Sequence, residues 1–249
     1  MAVTLNEVFG SPIFFFILGL IMGSFGNVLI ARLPTGEGIV GRSHCPHCKK
    51  KLSVPELIPV ISYILLRGRC SGCGKTISVQ YPLVELGSGG LFLLASTWHS
   101  YFPHALLLAL TLWLLFLIAV IDYKEGVIPD ALSVPLIFLG IVYSTIVHTF
   151  PLQGILIGTG VFAAQWILSR GRWVGSGDIF LGAGIGALMG TWQMTLLWLW
   201  LAYVSGAAIA TILLITGSKH IKSTLPFGPF MAGSAAVTLM VGEWILRFV

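Results

Sequence analysis

The chain has 249 residues, of which 56% are hydrophobic and only 9% are charged, and its formal net charge is +5. Soluble domains carry roughly 25% charged residues, so this composition excludes an ordinary soluble protein and indicates a polytopic membrane protein. The positive charge favours contact with anionic lipid headgroups and gives no reason to expect nucleic acid as a partner.

Apolar stretches long enough to cross about 30 Å of hydrocarbon predict about eight transmembrane helices. Their predicted ranges are 11–31, 83–101, 104–121, 131–148, 152–169, 177–192, 194–215 and 227–248. The expected fold is an all-α polytopic membrane protein. It would consist of a first transmembrane helix (1–31), a polar subdomain (32–80) and a seven-helix membrane core (81–249).

The distribution of lysine and arginine predicts the orientation, because loops rich in these residues stay in the cytoplasm. With the N-terminus outside, every one of the fourteen basic residues except Arg247 would lie on the inner side. The polar subdomain would then be cytoplasmic. Its apolar stretch VISYILLR, at 60–67, is too short to cross and is expected to lie against the membrane surface.

The polar subdomain contains all four cysteines in two CxxC pairs: Cys45, Cys48, Cys70 and Cys73. Two such pairs predict a tetrahedral zinc site with four thiolate ligands and no open position, hence a structural rather than a catalytic metal. In the reducing cytoplasm, two structural disulfides are the less favoured alternative. His44 and His47 could substitute as ligands, although four thiolates already complete the set.

Two aspartates lie at the ends of apolar stretches. Asp122 follows the third predicted span, and Asp178 opens the sixth within GSGD at 175–178. The predicted topology places both at the cytoplasmic ends of their helices, so they can meet. Two neighbouring carboxylates share a proton, so that one serves as an acid and the other as a base towards water and a peptide bond.

Helix capping is the structural alternative, and the sequence supports it about as well as catalysis. Asp178 could cap the sixth helix, Asp122 could end the third, and Asp130 is expected to be an N-cap. Gly175 and Gly177 lack side chains, so a substrate backbone or a neighbouring helix could approach Asp178 closely.

Taken in order, these motifs resemble those of the bacterial type IV prepilin peptidases, which are GxGD aspartic proteases. The resemblance extends over almost the whole chain. It covers FGNVLIARLP at 25–34, the double CxxC, PELIPVISYILLRGRC at 55–70, YPLVELGSG at 81–89, the D-x6-PD arrangement at 122–130 and GSGD at 175–178. By this resemblance Asp122 and Asp178 form the catalytic pair, and Asp130 lies outside it. The chain departs from many relatives at Phe180, where they carry a lysine.

The resemblance implies cleavage of a short basic leader from type IV prepilins or pseudopilins, at the cytoplasmic face of the bacterial inner membrane. Many members then methylate the new N-terminus with S-adenosylmethionine, and the cysteine subdomain is typical of these bifunctional members. No glycine-rich methyltransferase fingerprint occurs, so no residues are assigned to the methyl donor. Glu56 and Glu85 could attract the basic leader, although packing is the simpler interpretation.

Two other classes of function compete with the peptidase. A proton-coupled transporter would use the aspartates as a relay, but it should hold them near mid-membrane, often in two related halves. Both aspartates are instead predicted at one face, and the sequence shows no convincing internal repeat. A membrane scaffold that recruits a partner through its zinc subdomain would keep its function when both aspartates are replaced by asparagine.

Overall fold

The computed structural model describes residues 10–147, 150–217 and 224–247. Within these ranges the chain is helical, with isolated β-bridges but no strand. The helices are α1 (Pro12–Arg32), α2 (Ile61–Leu65), α3 (Gln80–Trp98), α4 (Phe102–Glu125), α5 (Asp130–Val147), α6 (Leu152–Ser169), α7 (Ser176–Met189), α8 (Trp192–Ile215) and α9 (Gly228–Leu246). A 3-10 turn, Val54–Leu57, precedes α2.

The all-α prediction is confirmed, and each predicted range corresponds to one of the long helices among the described residues. By length and composition, α1, α4, α6 and α8 can cross a membrane, whereas the apolar parts of α5, α7 and α9 are shorter. The count of eight crossings therefore stays a prediction. Lys219 and Lys222, which belong to the predicted inner belt, lie outside the described residues.

Two helix ends differ from the predicted ranges. The third predicted span ends at 121, but α4 continues to Glu125, so Asp122 lies inside the last turn of a helix rather than after it. The sixth predicted span ends at 192, but α7 ends at Met189, because Gly190 takes a φ of 72° that an α-helix does not contain.

The chain forms two compact units, Met1–Trp113 and Leu114–Val249. In the first unit, α1 packs against α3 through glycine. A Cβ atom on Gly19 would lie 2.6 Å from the carbonyl oxygen of Ser88, and one on Gly23 would lie 2.6 Å from Cα of Glu85. Any side chain at these two positions would force the helices apart, so glycine sets their separation.

In the second unit α7 is the central helix, and it contacts α5, α6, α8 and α9. Its residues from 181 to 189 are all buried. On the side of α6, Gly182 and Gly186 lie directly against Gly158 and Gly154, where no Cβ could be accommodated. The spacing of small residues thus brings the two backbones together and holds α7 inside the unit.

Candidate active site and metal centre

Asp122 is buried in the last turn of α4, where it faces the beginning of α9. Its Oδ2 atom accepts a hydrogen bond from the backbone N–H of Gly228 at 2.7 Å. A Cβ atom on Gly228 would lie only 2.8 Å from the same oxygen. The contact therefore needs glycine, and it places the carboxylate at the positive end of a helix dipole.

Asp178 is buried in the first turn of α7. Its Oδ2 atom accepts a hydrogen bond from the backbone N–H of Gly175 at 2.8 Å, so the expected capping interaction is present. A Cβ atom on Gly177 would lie 2.8 Å from Cβ of Ile128, in the loop between α4 and α5. The missing side chain of Gly177 thus admits this neighbouring loop.

The two aspartates lie near one another in the second unit, close enough for the charge of Asp122 to act on Asp178. Each carboxylate uses Oδ2 for its glycine N–H, and within the described chain no hydrogen bond reaches either Oδ1. In each aspartate the glycine N–H therefore fixes Oδ2, and Oδ1 is available to bind water or substrate. Two buried carboxylates in this relation can divide the roles of acid and base.

Aromatic side chains lie beside the aspartates. Phe227, which precedes Gly228, packs against Tyr203 with ring centroids 5.1 Å apart, and Phe162 and Phe230 complete the cluster. The Tyr203 hydroxyl accepts a hydrogen bond from Nε2 of Gln165 at 2.5 Å. Tyr203 is also close enough to Asp178 for the charge of the carboxylate to act on its hydroxyl.

The sequence analysis did not identify Gly228, Tyr203 or Gln165 as part of this site. For Gly228 a signal exists, since the run Pro-Phe-Gly-Pro at 226–229 places a glycine between prolines at a helix start. Tyr203 and Gln165 lie within apolar helices, where no local pattern distinguishes them from packing residues.

Asp130 and Phe180 remain outside this arrangement. Asp130 is exposed at the first residue of α5, where its charge suits the helix N-terminus. Phe180 is also exposed.

The four cysteines of the first unit converge, as their spacing predicts. Their sulfur atoms all lie within 4.8 Å of one another. The Sγ atoms of Cys45 and Cys73 are 4.0 Å apart, and those of Cys48 and Cys70 are 3.9 Å apart. A tetrahedral ion with metal–sulfur bonds of about 2.3 Å requires sulfur separations of roughly 3.8 Å. The arrangement fits a tetrathiolate metal site, and all four cysteines are free rather than disulfide-bonded.

The two CxxC loops share one backbone conformation. In each, the N–H of the first cysteine donates to the carbonyl five residues later, at 3.0 Å in the first loop and 2.8 Å in the second. The residue after the second cysteine, Lys49 or Gly74, has a positive φ. The backbone N–H groups of Cys48 and His47 lower the pKa of Cys45 to about 6.

Glu56 connects the two cysteine loops. Its Oε1 accepts hydrogen bonds from Lys50 Nζ at 2.9 Å and from the Ser71 hydroxyl, and its Oε2 accepts from the backbone N–H and the hydroxyl of Ser53. The N–H of Ser53, then Ser71 and Lys50, hold the pKa of Glu56 far below its usual range. Glu85 also has internal partners, among them the N–H of Val60 at 2.7 Å. The alternative of packing thus describes both glutamates better than attraction of a leader.

An all-helical protein with a pair of buried aspartates and a separate four-cysteine centre defines a class of polytopic membrane enzymes. Two family patterns match the chain: the Bacterial Peptidase A24 N-terminal domain over residues 17–99, and the Type IV leader peptidase family over residues 109–211. The chain therefore belongs to the type IV leader peptidase family, and it is a multi-pass membrane protein.

Individual relatives are similar over nearly the whole length. A prepilin leader peptidase/N-methyltransferase of Burkholderia pseudomallei is 35% identical over 92% of this chain and 85% of its own length. Proteins with the same name from Stutzerimonas stutzeri and Aeromonas hydrophila are 33% and 32% identical, and they cover 92% and 100% of this chain and 90% and 98% of their own lengths. No solved structure matches the chain.

Proposed function

We propose that this protein is a membrane-embedded aspartic endopeptidase that removes the basic leader from type IV prepilins or pseudopilins, with Asp122 and Asp178 as its catalytic pair. The observation that carries the proposal is the approach of these two buried carboxylates, contributed by α4 and α7. The names of the relatives supply the class of substrate.

The reaction needs one protonated and one ionised aspartate. The ionised carboxylate takes a proton from a water molecule, and the oxygen of that water attacks the scissile carbonyl carbon. The protonated carboxyl gives its proton to the carbonyl oxygen. When the C–N bond then breaks, a proton passes to the leaving amine. Because the two groups titrate together, the roles of base and acid belong to the pair.

The glycine contacts orient the pair for this chemistry. The N–H groups of Gly228 and Gly175 each bind one Oδ2 atom, so neither carboxylate rotates freely. The two Oδ1 atoms are then the ones that face water and the peptide bond. Fixed orientation of reacting groups is a principal source of enzymatic rate enhancement.

The charge distribution supports a site at the cytoplasmic face of the bacterial inner membrane, with the N-terminus outside. In that orientation α4 ends and α7 begins on the inner side. A prepilin whose apolar helix lies in the bilayer would present its leader junction at the same side. The basic leader would remain in the cytoplasm, in agreement with the positive-inside rule.

The cysteine centre supports a structural zinc site formed by Cys45, Cys48, Cys70 and Cys73. Four thiolates leave no position for a substrate or water, so this ion would stabilise the fold of the subdomain. The names of the relatives also support methylation of the new N-terminus, for which S-adenosylmethionine would supply the methyl group.

The test is cleavage of a purified prepilin in lipid by the wild type, Asp122→Asn, Asp178→Asn and the matched control Asp130→Asn. Loss of an acid or a base should lower the cleavage rate by about 10²–10⁴-fold or more, while the control should cleave like the wild type. Mass spectrometry of the product tests methylation, because a methylated N-terminus is heavier by one methylene. If both aspartate variants cleave at the wild-type rate, Asp122 and Asp178 are not the catalytic pair. If the wild type cleaves no prepilin, a relay or scaffold becomes the better explanation.

A further inference from the structure

An apolar surface in the first unit takes no part in the proposed reaction. Residues 57–65, called the interfacial segment here, extend from the last residue of the 3-10 turn to the end of the short helix α2. Ile64 is 66% exposed and Leu65 is 76% exposed, and further exposed apolar side chains occur along the segment: Leu57, Ile58 and Ile61. Such a surface is unfavourable in water, so something apolar is expected to cover it.

A buried carboxylate ties this segment to the helices. Glu85 on α3 is buried, and its Oε2 accepts the hydrogen bond from the backbone N–H of Val60 at 2.7 Å. The Ser24 side chain on α1 lies close to the same carboxylate. Val60 itself has a φ of 62°, which is unusual for a β-branched residue and needs support from its surroundings.

The packing of α1 against α3 indicates how deep in the membrane the hydrogen bond between Glu85 and Val60 lies. The 21 residues of α1 span roughly 30 Å, which is about the thickness of the hydrocarbon layer. Glu85 packs at the level of Gly23, which lies nine residues, or about 13 Å, before Arg32 at the polar end of α1. A glutamate side chain reaches at most about 5 Å and its hydrogen bond adds 2.7 Å, so the Val60 nitrogen lies at least about 5 Å inside the apolar span.

The side chains on either side of Glu85 are apolar and exposed. Leu83 and Leu86 flank Glu85 on α3, and both are exposed. On a membrane helix, exposed leucines face acyl chains. Arg67 and Arg69 follow the interfacial segment and are exposed too, at the place where a chain leaving the apolar layer would meet anionic headgroups.

We propose that the interfacial segment inserts Ile61, Ile64 and Leu65 among the lipid acyl chains of the adjacent leaflet, and that Glu85 is the positioning residue that holds it there. The cysteine subdomain is thereby attached to the membrane at a third place, in addition to its two covalent connections to α1 and α3. This inference does not depend on the proposed peptidase activity, since it concerns lipid contact in the absence of substrate.

The test places a nitroxide at position 64 through a ketone-bearing amino acid, which leaves the four cysteines untouched. The full-length protein is measured in nanodiscs of phosphatidylethanolamine and phosphatidylglycerol. The measured quantity is the ratio of the nitroxide's collision rate with oxygen to its collision rate with a water-soluble nickel chelate. This collision ratio increases with depth in the membrane, because oxygen is enriched in the bilayer and the chelate stays in water. Reference labels replace Ile21, 54% exposed on α1, and Val40, 91% exposed in the subdomain.

Insertion predicts a ratio at position 64 that is several-fold above that at position 40 and close to that at position 21. A ratio like that at position 40 would mean that the segment lies in water and would overturn the proposal. Protection from both reagents would also overturn it, because protein rather than lipid would then cover the segment.

Three variants test the role of Glu85 with the label kept at position 64. Glu85→Ala should lower the ratio several-fold, whereas Glu85→Gln retains an acceptor oxygen and should preserve the ratio. Ser88→Ala is the matched control, since Ser88 is buried on the same helix but bonds only to the carbonyl of Val84. An unchanged ratio in Glu85→Ala would overturn the positioning role, and if that variant does not fold, the label in the wild type still tests insertion.

Discussion

At the residue scale, each catalytic aspartate of the proposed pair is oriented by the backbone of a glycine rather than by another side chain. A backbone N–H cannot change rotamer, so Gly228 and Gly175 hold Oδ2 of Asp122 and Asp178 as firmly as their loops are held. Substitution of the glycine therefore tests the orientation of the carboxylate without removing the carboxylate itself.

Gly228→Ala is expected to lower prepilin cleavage by at least about tenfold, since misplacement of a catalytic group by about 1 Å can cost up to about 10²-fold. The added methyl group would lie 2.8 Å from Oδ2 of Asp122 and displace it. Gly233→Ala on the same helix is the matched control, because its Cβ would meet nothing within 4 Å. Initial rates of the two variants provide the measurement, and equal rates would contradict the orienting role.

Glu56 offers a second test at this scale, because it joins both cysteine loops through Lys50 and Ser71. If the centre holds zinc, Glu56→Ala should release the metal several-fold faster to a chromophoric chelator, since outer-shell partners commonly affect metal affinity by about 10–100-fold. Glu37→Ala is the control, because Glu37 is exposed in the same subdomain. Identical release from both variants would show that Glu56 has no role in metal retention.

At the element scale, the close packing of α6 against α7 explains how a short apolar helix can hold the proposed catalytic Asp178 in place. Gly154 and Gly158 of α6 admit the backbone of α7 so closely that residues 181–189 of α7 are all buried. Asp178 is in the first turn of this helix. Rigid packing of α7 is thus the structural basis for the position of Asp178.

Gly158→Ala should destabilise the protein by about 1–3 kcal/mol, because the new methyl group would overlap the backbone of Gly182. Gly160→Ala, on the same helix with open space around its Cβ, should have little effect. Thermal unfolding in one detergent compares the two variants. Indistinguishable midpoints would mean that the contact between α6 and α7 tolerates a side chain and does not determine the packing of α7.

At the scale of the whole molecule, the distribution of basic residues predicts that both chain ends face outwards from the cytoplasm. An alkaline phosphatase fused to the C-terminus should therefore be active, because this enzyme requires the oxidising periplasm. A green fluorescent protein fused at the same place through the secretory route should stay dark. Bright fluorescence with inactive phosphatase would contradict the predicted orientation or the number of crossings.

The positions of the helices and of the cysteine centre could be predicted from the sequence because both are local properties. About twenty apolar residues in succession form a helix wherever they lie in a membrane, and a CxxC pair supplies two sulfurs from one tight loop. The aspartates could be identified for a similar reason, since placing a carboxylate at the edge of the apolar layer costs free energy. The extent of α4 was less predictable, because the helix continues through Asp122 into the polar residues up to Glu125.

Local partners such as Gly175, three residues before Asp178, follow from helix capping, but partners distant in the chain could not be predicted. Gly228 lies 106 residues from the aspartate that it binds, and Val60 lies 25 residues from Glu85. Composition and spacing determined by themselves that this is a helical membrane protein with a cluster of four cysteines and two aspartates beside apolar helices. Only the tertiary structure decided that Gly228 binds Asp122 and that Val60 binds Glu85. Those contacts depend on which helices pack together, and no local sequence pattern encodes that choice.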